Sequence, residues 1–245
     1  VIVTTTFTAR RNRLIQNDSE RHFEKINIKA VELAQKARDI SKKDVLIAGG
    51  LPNQKQTYSA DLGKDLDLIE KNFYDQAKLL KNGIDFFYLD VMSSGLECEF
   101  ALKAIESYNL PVLVGIHLRD NGKLPSGEKI IDIFKKYKNK NWIGIIMACI
   151  SPGAYELVIN DLQKIDIPYG FKINAFKKIP EGYTVASKDQ WGDAGNPNTV
   201  LGKNTDLNES KFYEYAKKFK ENGATILGGC CEIRPSHIKE ISKLK

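Results

Sequence analysis

The chain has 245 residues, of which 42% are hydrophobic and 28% charged, a composition typical of a globular protein with a large core. It contains no apolar run long enough to span a bilayer and opens with no secretory leader, which predicts a cytoplasmic protein without a membrane segment. The formal net charge is +6, but most lysines fall in amphipathic helix patterns and no nucleic-acid-binding motif is present, so a nucleic-acid partner is not expected. Because the first residue, Val1, already lies inside an apolar run, we expect residues to precede it.

Short apolar runs alternate along the chain with longer helical patterns. In chain order the predicted strands are VIVTTTF at Val1, DVLIAGG, DFFYLDVM, PVLVGIHL, WIGIIMACI, YGFKIN and ATILGGCC. The predicted helices are Ser19–Arg38, Leu66–Asn82, Leu96–Tyr108, Glu128–Lys138, a short one at Tyr155–Leu162, Glu209–Asn222 and a last one from Pro235. Most of the strands are apolar throughout, which indicates a parallel sheet covered on both faces.

The regular alternation predicts one α/β domain over residues 1–245. Seven strand–helix units are visible, whereas a TIM barrel has eight. The predicted fold is therefore a (β/α)8 TIM barrel whose first β–α unit is missing from this sequence. A doubly wound open sheet is the alternative, but no glycine-rich dinucleotide fingerprint follows any strand.

Chemistry in a parallel barrel sits where the strands end, and three of the four cysteines fall at such ends. Cys149 ends the fifth strand, and Cys230 and Cys231 end the seventh, whereas Cys98 lies in a helical pattern typical of a buried core residue. Three thiolates suit zinc, and three protein ligands leave a fourth position open, as in catalytic sites. That position would suit the sulfur of a thiol substrate, held as thiolate at neutral pH.

Four other polar residues lie at predicted strand ends: Thr6, Asp90, His117 and Asn174. Of these, we interpret His117 as a structural residue and not as a ligand.

Cys230 and Cys231 are adjacent, and adjacent residues of a strand point to opposite faces. They can share a metal only if the backbone turns there. The preceding Gly228 and Gly229 favour such a turn, since glycine tolerates unusual dihedral angles and close approach.

Several segments together resemble the homocysteine S-methyltransferase family. The most specific is GATILGGCCEIRPSHIKEI, which resembles the family's GARIVGGCCGTTPEHI type of segment. In order along the chain, VIVTTTFTA, VLIAGGLPN, GIDFFYLDVMSSGLECEFAL, IGIIMACISP and FKINA resemble further family segments, so the resemblance covers essentially the whole chain.

The resemblance implies a zinc enzyme on a TIM barrel that methylates the sulfur of homocysteine to give methionine. It implies that Cys149, Cys230 and Cys231 are the zinc ligands and that Asp90 pairs with the substrate ammonium. It also places Asn174 and Thr6 at the substrate site. Asn174 could bind the substrate carboxylate or order the barrel mouth.

Four positions depart from the family pattern. Asp90 replaces a glutamate, Ala148 and Thr5 replace asparagines, and Glu232 replaces the glycine after the cysteine pair. The family's first strand, with its D-G-x-x-G motif, has no counterpart here. These departures bear on the identity of the substrate more than on metal binding.

The methyl donor must carry a labile methyl group on a positive centre, and the candidates are S-methylmethionine, S-adenosylmethionine, a betaine or a methyl-cobalamin domain on another protein. The polar stretch from Lys177 to Asn208 is long for a structureless loop, and it is either a lid or a disordered surface loop that docks one tryptophan. Its Tyr183 and Trp191 could present aromatic faces to an onium cation.

Three alternative functions remain open from the sequence. The first is a non-catalytic or divergent zinc- or thiol-binding barrel, and the second is the homocysteine module of a cobalamin-dependent methionine synthase. The third is a redox enzyme that uses Cys230 and Cys231, which the strain of a disulfide between adjacent cysteines disfavours.

Overall fold

The structure, a computed structural model, describes residues 1–183 and 197–244. Its strands are β1 (Ile2–Val3), β2 (Ile47–Pro52), β3 (Phe86–Met92), β4 (Val112–Ile116), β5 (Trp142–Ile150), β6 (Tyr169–Ile173) and β7 (Ile226–Gly229). The α-helices are α1 (Arg11–Ile15), α2 (Phe23–Ser41), α3 (Leu66–Leu80), α4 (Gly95–Ile105), α5 (Ile130–Tyr137), α6 (Pro152–Glu156), α7 (Ile159–Leu162), α8 (Pro197–Leu201), α9 (Glu209–Glu221) and α10 (Pro235–Ile241). Short 3-10 helices lie at Phe7–Ala9, Glu20–His22, Lys81–Gly83, Glu106–Tyr108 and Ser242–Leu244.

The strands form one sheet in which each strand pairs in parallel with the next in sequence, in the order β1 to β7. Within the described residues β1 and β7 each have one neighbour, so the sheet is a curled, open barrel. The predicted α/β barrel lacking one β–α unit is confirmed. All seven predicted strands and the main helices are found within a few residues of their predicted limits.

Side-chain capping explains where several helices begin. Asp65 accepts a hydrogen bond from the Leu68 backbone N–H at 3.0 Å at the start of α3, and Ser94 accepts one from Glu97 at the start of α4. Ser151 and Asn208 cap α6 and α9 in the same way. Each cap fixes the residue at which its helix begins.

Alternation along the strands separates two apolar layers. Phe87 and Leu89 on β3 pack outward against the helices in the main core. Phe86 and Tyr88 point to the inner face, where they meet Ala48 of the β2 strand and other inner residues. The inner face opens between β1 and β7 into a cavity of about 990 Å³. Within the described residues no helix is both long and apolar enough to cross a membrane.

Two expectations about loops need correction. The stretch from Lys177 to Asn208 contains the helix α8, and Phe176 forms an antiparallel bridge with Lys203, so it is not structureless. The short helix expected at Tyr155–Leu162 is two helices, α6 and α7. Trp191 lies outside the described residues.

We predict that Gly170→Ala breaks the pairing of β6 with β7. A Cβ atom at position 170 would overlap the backbone carbonyl of Ile226, which cannot move without separating the strands. The expected loss of unfolding free energy is about 3 kcal/mol, measured by urea denaturation.

Gly153→Ala is the matched control, because a Cβ atom there meets nothing within 4 Å and the residue lies in α6. This variant should be unchanged or more stable by about 0.5 kcal/mol. Equal destabilisation by both substitutions would contradict the strand contact.

Candidate metal centre

The three strand-end cysteines come together at the mouth of the barrel. The sulfur atoms of Cys149, Cys230 and Cys231 all lie within 4.8 Å of one another. The sulfur of Cys231 is 3.9 Å from that of Cys149 and 3.9 Å from that of Cys230. Cys149 is buried, whereas the other two are partly exposed. Cys98 is fully buried in α4 and packs in the main core, apart from this cluster.

A bulge in β5 aims Cys149 at the other two cysteines. The pairing of β5 with β6 passes from Ala148 opposite Lys172 to Ile150 opposite Ile173, so Cys149 is the extra residue. Its φ angle is +56°, in the left-handed region that non-glycine residues rarely occupy. An extra residue of this kind redirects a side chain out of the regular alternation of a strand. The bulge thus turns the sulfur of Cys149 towards the end of β7.

A turn after β7 brings Cys230 and Cys231 onto one side. The Ile233 N–H donates to the carbonyl of Cys230 at 3.1 Å, and Glu232 has a φ angle of +63°. The expectation that Gly228 and Gly229 form this turn is wrong, since both lie within β7 and neither has a positive φ. Gly229 instead provides a close approach, because a Cβ atom there would overlap the side chain of Ile233. The unusual backbone conformation of the turn therefore lies at Glu232, and Gly229 leaves room for Ile233.

The separations fit a tetrahedral thiolate site. A tetrahedral ion with sulfur ligands at about 2.3 Å keeps those sulfurs about 3.8 Å apart. Two of the three separations are 3.9 Å and match that value, and the third, between Cys149 and Cys230, is within 4.8 Å. Cysteines 149, 230 and 231 can therefore hold a soft metal ion through three ligands.

Hydrogen bonds among the thiols shift their pKa values in opposite directions. Those from Cys149 and Cys231 lower the pKa of Cys230 well below its usual range, and Lys172 contributes to that lowering. The contact with Cys230 raises the pKa of Cys149 well above its usual range. The pKa of Cys231 is raised as well, so the negative charge lies on Cys230, and a cation between the sulfurs would stabilise the other two as thiolates.

Tyr58 and Asn174 hold Cys149 in place. The Tyr58 hydroxyl lies 3.1 Å from the sulfur of Cys149, and burial raises the pKa of this phenol well above its usual range, so it stays protonated. Asn174 donates through its side-chain amide to the Cys149 carbonyl at 2.8 Å and points the same nitrogen at the sulfur at 3.8 Å. Its carbonyl oxygen accepts from the Phe176 N–H at 3.1 Å. These contacts are those of a residue that orders the barrel mouth, and its contact with a substrate carboxylate stays a prediction.

His117 supports the same layer without facing the cluster as a ligand. Its Nδ1 atom lies 3.3 Å from the Ala148 carbonyl, and its ring stands 4.5 Å from that of Tyr58. Burial lowers its pKa to about 4, so the imidazole is neutral at physiological pH. The structural role expected for His117 fits these contacts.

Asp90 meets protein donors on the inner face of the barrel. Lys172 donates to its two carboxylate oxygens at 2.6 and 2.8 Å, and the Tyr88 hydroxyl donates at 2.7 Å. Burial lowers the pKa of Lys172, but the charge of Asp90 raises it further and the net shift is upward, so Lys172 is a cation. The pairing of Asp90 with a substrate ammonium stays a prediction, and the structure shows another cation already beside it.

Thr6 is fully buried next to β2. Its hydroxyl donates to the Gly50 carbonyl at 2.6 Å and lies 3.0 Å from the hydroxyl of Thr4. These bonds tie the end of β1 to β2. A direct contact of Thr6 with substrate stays a prediction.

Sequence reasoning missed Lys172 and Tyr58. Lys172 is visible as a single cation inside the apolar strand YGFKIN, and a buried cation in a strand signals a buried partner. Tyr58 lies in the loop after β2, and nothing in its local pattern points to Cys149.

An open parallel α/β barrel whose strand ends bring three thiols together defines a barrel protein with a site for a soft metal ion. The chain belongs to the homocysteine S-methyltransferase family, whose model matches residues 1–244. The family resemblance drawn from the motifs is thereby confirmed.

Individual relatives agree with this assignment. Homocysteine S-methyltransferase 3 of Arabidopsis thaliana is 24% identical over 68% of this chain and 45% of its own length. Homocysteine S-methyltransferase 1 of the same plant is 24% identical over 88% of this chain and 69% of its own length. The chain thus spans less than half of the first relative and about two thirds of the second.

A solved structure shares the fold. The metallated form of the homocysteine methyltransferase MmuM from Escherichia coli superposes with a TM-score of 0.75 at 16% identity. The match covers 99% of this chain and 78% of that structure.

We predict that Glu232→Gly stabilises the protein by about 1 kcal/mol, because glycine adopts the left-handed φ angle of this turn without the steric cost that glutamate bears. The ion pair of this glutamate with Arg234 is long, at 3.6 Å, and the Arg234 side chain is 65% exposed, so the pair contributes little. Thermal unfolding followed by circular dichroism measures the change.

Glu232→Ala is the control, since it removes the ion pair but keeps a Cβ atom in the left-handed conformation. It should be no more stable than the natural chain. A gain in stability for alanine equal to that for glycine would show that backbone strain at position 232 is not the cause.

Proposed function

We propose that this chain transfers a methyl group from an onium donor to the sulfur of homocysteine, giving methionine, with zinc held by Cys149, Cys230 and Cys231. The observation that carries the proposal is the approach of these three sulfurs to within 4.8 Å from strand ends far apart in sequence. Membership of a family named for this reaction supports it.

Bound at this cluster, zinc would favour the thiolate form of a thiol at neutral pH and leave one coordination position open for it. The chain's own residues set the geometry of that position. Asn174 fixes the carbonyl of Cys149, and the protonated hydroxyl of Tyr58 donates to its thiolate sulfur. The thiolate sulfur forms a bond to the methyl carbon as the bond from that carbon to the onium centre breaks, and the donor leaves as a neutral thioether or amine. No general base is needed, so the protein's contribution is alignment and exclusion of water.

The donor is proposed to be a small onium compound, either a sulfonium such as S-methylmethionine or S-adenosylmethionine, or a betaine. Aromatic side chains pack directly around the sulfurs: Tyr58, Phe176 and Tyr183 are buried there, with Phe7 beside them. The Tyr58 and Tyr183 rings are 6.2 Å apart. An aromatic face attracts a cation although it carries no anionic group. It therefore offers no second nucleophile that would compete with the thiolate for the methyl group.

We further propose that residues 1–245 act as one homocysteine-binding barrel domain. The match of the family model to residues 1–244 and a sheet that runs in sequence order support this. A reducing compartment such as the cytoplasm is proposed as its location, because the three cysteines bind a metal only as free thiolates.

The proposed activity is tested by incubating the zinc-loaded chain with homocysteine and each donor in turn, and measuring methionine by mass spectrometry. Cys149→Ala should lower the rate at least about 1,000-fold, because two cysteines cannot hold the ion in the same geometry. Cys98→Ala is the matched control, since Cys98 is a buried core cysteine outside the cluster. It should keep a rate within about threefold of the natural chain.

Absence of methionine with every donor from a zinc-loaded, folded chain would overturn the proposed activity. Product from methylcobalamin alone would replace the onium donor with a cobalamin donor.

Tyr58 should contribute to donor binding through its ring. We predict that Tyr58→Leu raises the KM of the onium donor about 10-fold, because an aliphatic side chain offers no cation–π attraction. Tyr58→Phe keeps the ring and should leave the donor KM within about twofold, while loss of the hydroxyl contact to Cys149 lowers kcat. Equal donor KM values for the two variants would show that the ring does not contact the donor.

A further inference from the structure

A charged pair inside the barrel occupies the place at which an amino-acid substrate is expected to present its ammonium group. The two carboxylate oxygens of Asp90 lie 2.6 and 2.8 Å from the ammonium nitrogen of Lys172. The Tyr88 hydroxyl donates to the same carboxylate at 2.7 Å, and the Lys172 nitrogen stands 5.0 Å from the centre of the Tyr88 ring. The side chains of Asp90 and Lys172 are only 9% and 18% exposed, so water screens this pair weakly.

The pair lies next to the cysteine cluster. Lys172 is opposite Ala148, the residue before Cys149, and opposite Gly228, two residues before Cys230. The charges of Lys172 and Asp90 both act on Cys230. Lys172 and Tyr88 also line the cavity of about 990 Å³ that opens between β1 and β7. Because the charges of this pair act on Cys230, a thiol bound at the cysteines would also lie within their electrostatic range.

With Lys172 in place, Asp90 cannot select an ammonium group by charge. An incoming ammonium would be attracted by the carboxylate and repelled by Lys172 at similar distances, and the two effects nearly cancel. It would also lose its hydration on entering a largely buried site. Asp90 has moreover accepted three hydrogen bonds already.

Lys172 itself can bind an anionic group of a substrate. An ammonium group has three N–H donors, and Asp90 accepts two hydrogen bonds from this one. In the described part of the chain this nitrogen has no further hydrogen-bond acceptor; it lies 5.0 Å from the centre of the Tyr88 ring, and the side chain lines the cavity. A carboxylate in that cavity could accept this third hydrogen bond and be stabilised by the charge of Lys172.

We propose that Lys172 determines acceptor specificity: by neutralising Asp90 it makes this a site for thiols that carry a carboxylate, in which the α-amino group is dispensable. The inference rests on the proposed function, and it names the acceptor class as short ω-mercapto carboxylic acids, of which homocysteine is one. In this proposal one lysine on β6 is the reason why the site does not require an amino acid as its substrate.

Binding of three thiols to the zinc-loaded chain, measured by titration calorimetry without any methyl donor, tests this proposal. The thiols are homocysteine, 4-mercaptobutanoate, which lacks only the amino group, and 3-aminopropanethiol, which lacks only the carboxylate. We expect the Kd of 4-mercaptobutanoate to lie within about fivefold of that of homocysteine, and the Kd of 3-aminopropanethiol to be at least about 30-fold weaker.

Lys172→Met should reverse this preference, because it frees the carboxylate of Asp90 for an ammonium. We expect 4-mercaptobutanoate to bind at least about 10-fold more weakly than homocysteine to this variant. Lys172→Arg is the matched control, since it keeps a cation beside Asp90 and should keep the natural ratios. If Lys172→Met does not fold, the double variant Lys172→Met with Asp90→Asn removes both charges, and it should bind both carboxylate thiols at least about 10-fold more weakly than the natural chain.

Preference for homocysteine over 4-mercaptobutanoate by more than about 30-fold in the natural chain would overturn the inference. So would ratios that Lys172→Met leaves unchanged, affinities for the carboxylate thiols that the double variant leaves unchanged, or failure of all three thiols to bind. If the predicted binding ratios are found but no donor yields a methylated thiol, the specificity inference holds and the proposed methyl transfer fails.

Discussion

The site depends on two residues that the chain holds in left-handed backbone conformations. Cys149 with a φ angle of +56° and Glu232 with +63° interrupt the regular geometry at the ends of β5 and β7. Without the first, the sulfur of Cys149 would follow the alternation of its strand. Without the second, Cys230 and Cys231 would point to opposite sides. Strain of this kind, about 1–2 kcal/mol for each residue, persists only where the surrounding structure compensates for it.

That compensation comes from hydrogen bonds across the barrel mouth. Asn174 binds the carbonyl of Cys149, and the Cys230 N–H donates to the carbonyl of Ile173 at 2.7 Å. The strand β6 therefore holds both ends of the cysteine cluster. The same strand carries Lys172, whose side chain pairs with Asp90 on the inner face. The strand β6 and the residue after it thus hold the cysteine cluster in place and pair a cation with Asp90.

The sequence predicts the fold well because apolar strands and amphipathic helices each have a characteristic pattern of hydrophobic residues, which is visible within a short segment of the chain. It also predicts which cysteines meet, since the ends of parallel strands share one edge of the sheet. The turn at Glu232 and the contact of Tyr58 with Cys149 could not be predicted, because both depend on tertiary packing. The lysine in YGFKIN was visible, but its partner Asp90 lies 82 residues earlier in the chain, and only the register of the sheet brings the two together.

X-ray absorption at the zinc edge of the purified, reduced chain tests the central claim most directly. Our account predicts one zinc per chain with three sulfur neighbours at about 2.3 Å and one lighter neighbour, and a fourth sulfur when homocysteine is added. The Cys149→Ala variant should lose the ion or one of these sulfurs. A zinc bound by nitrogen and oxygen alone, or no zinc after it is supplied to reduced protein, would contradict the account.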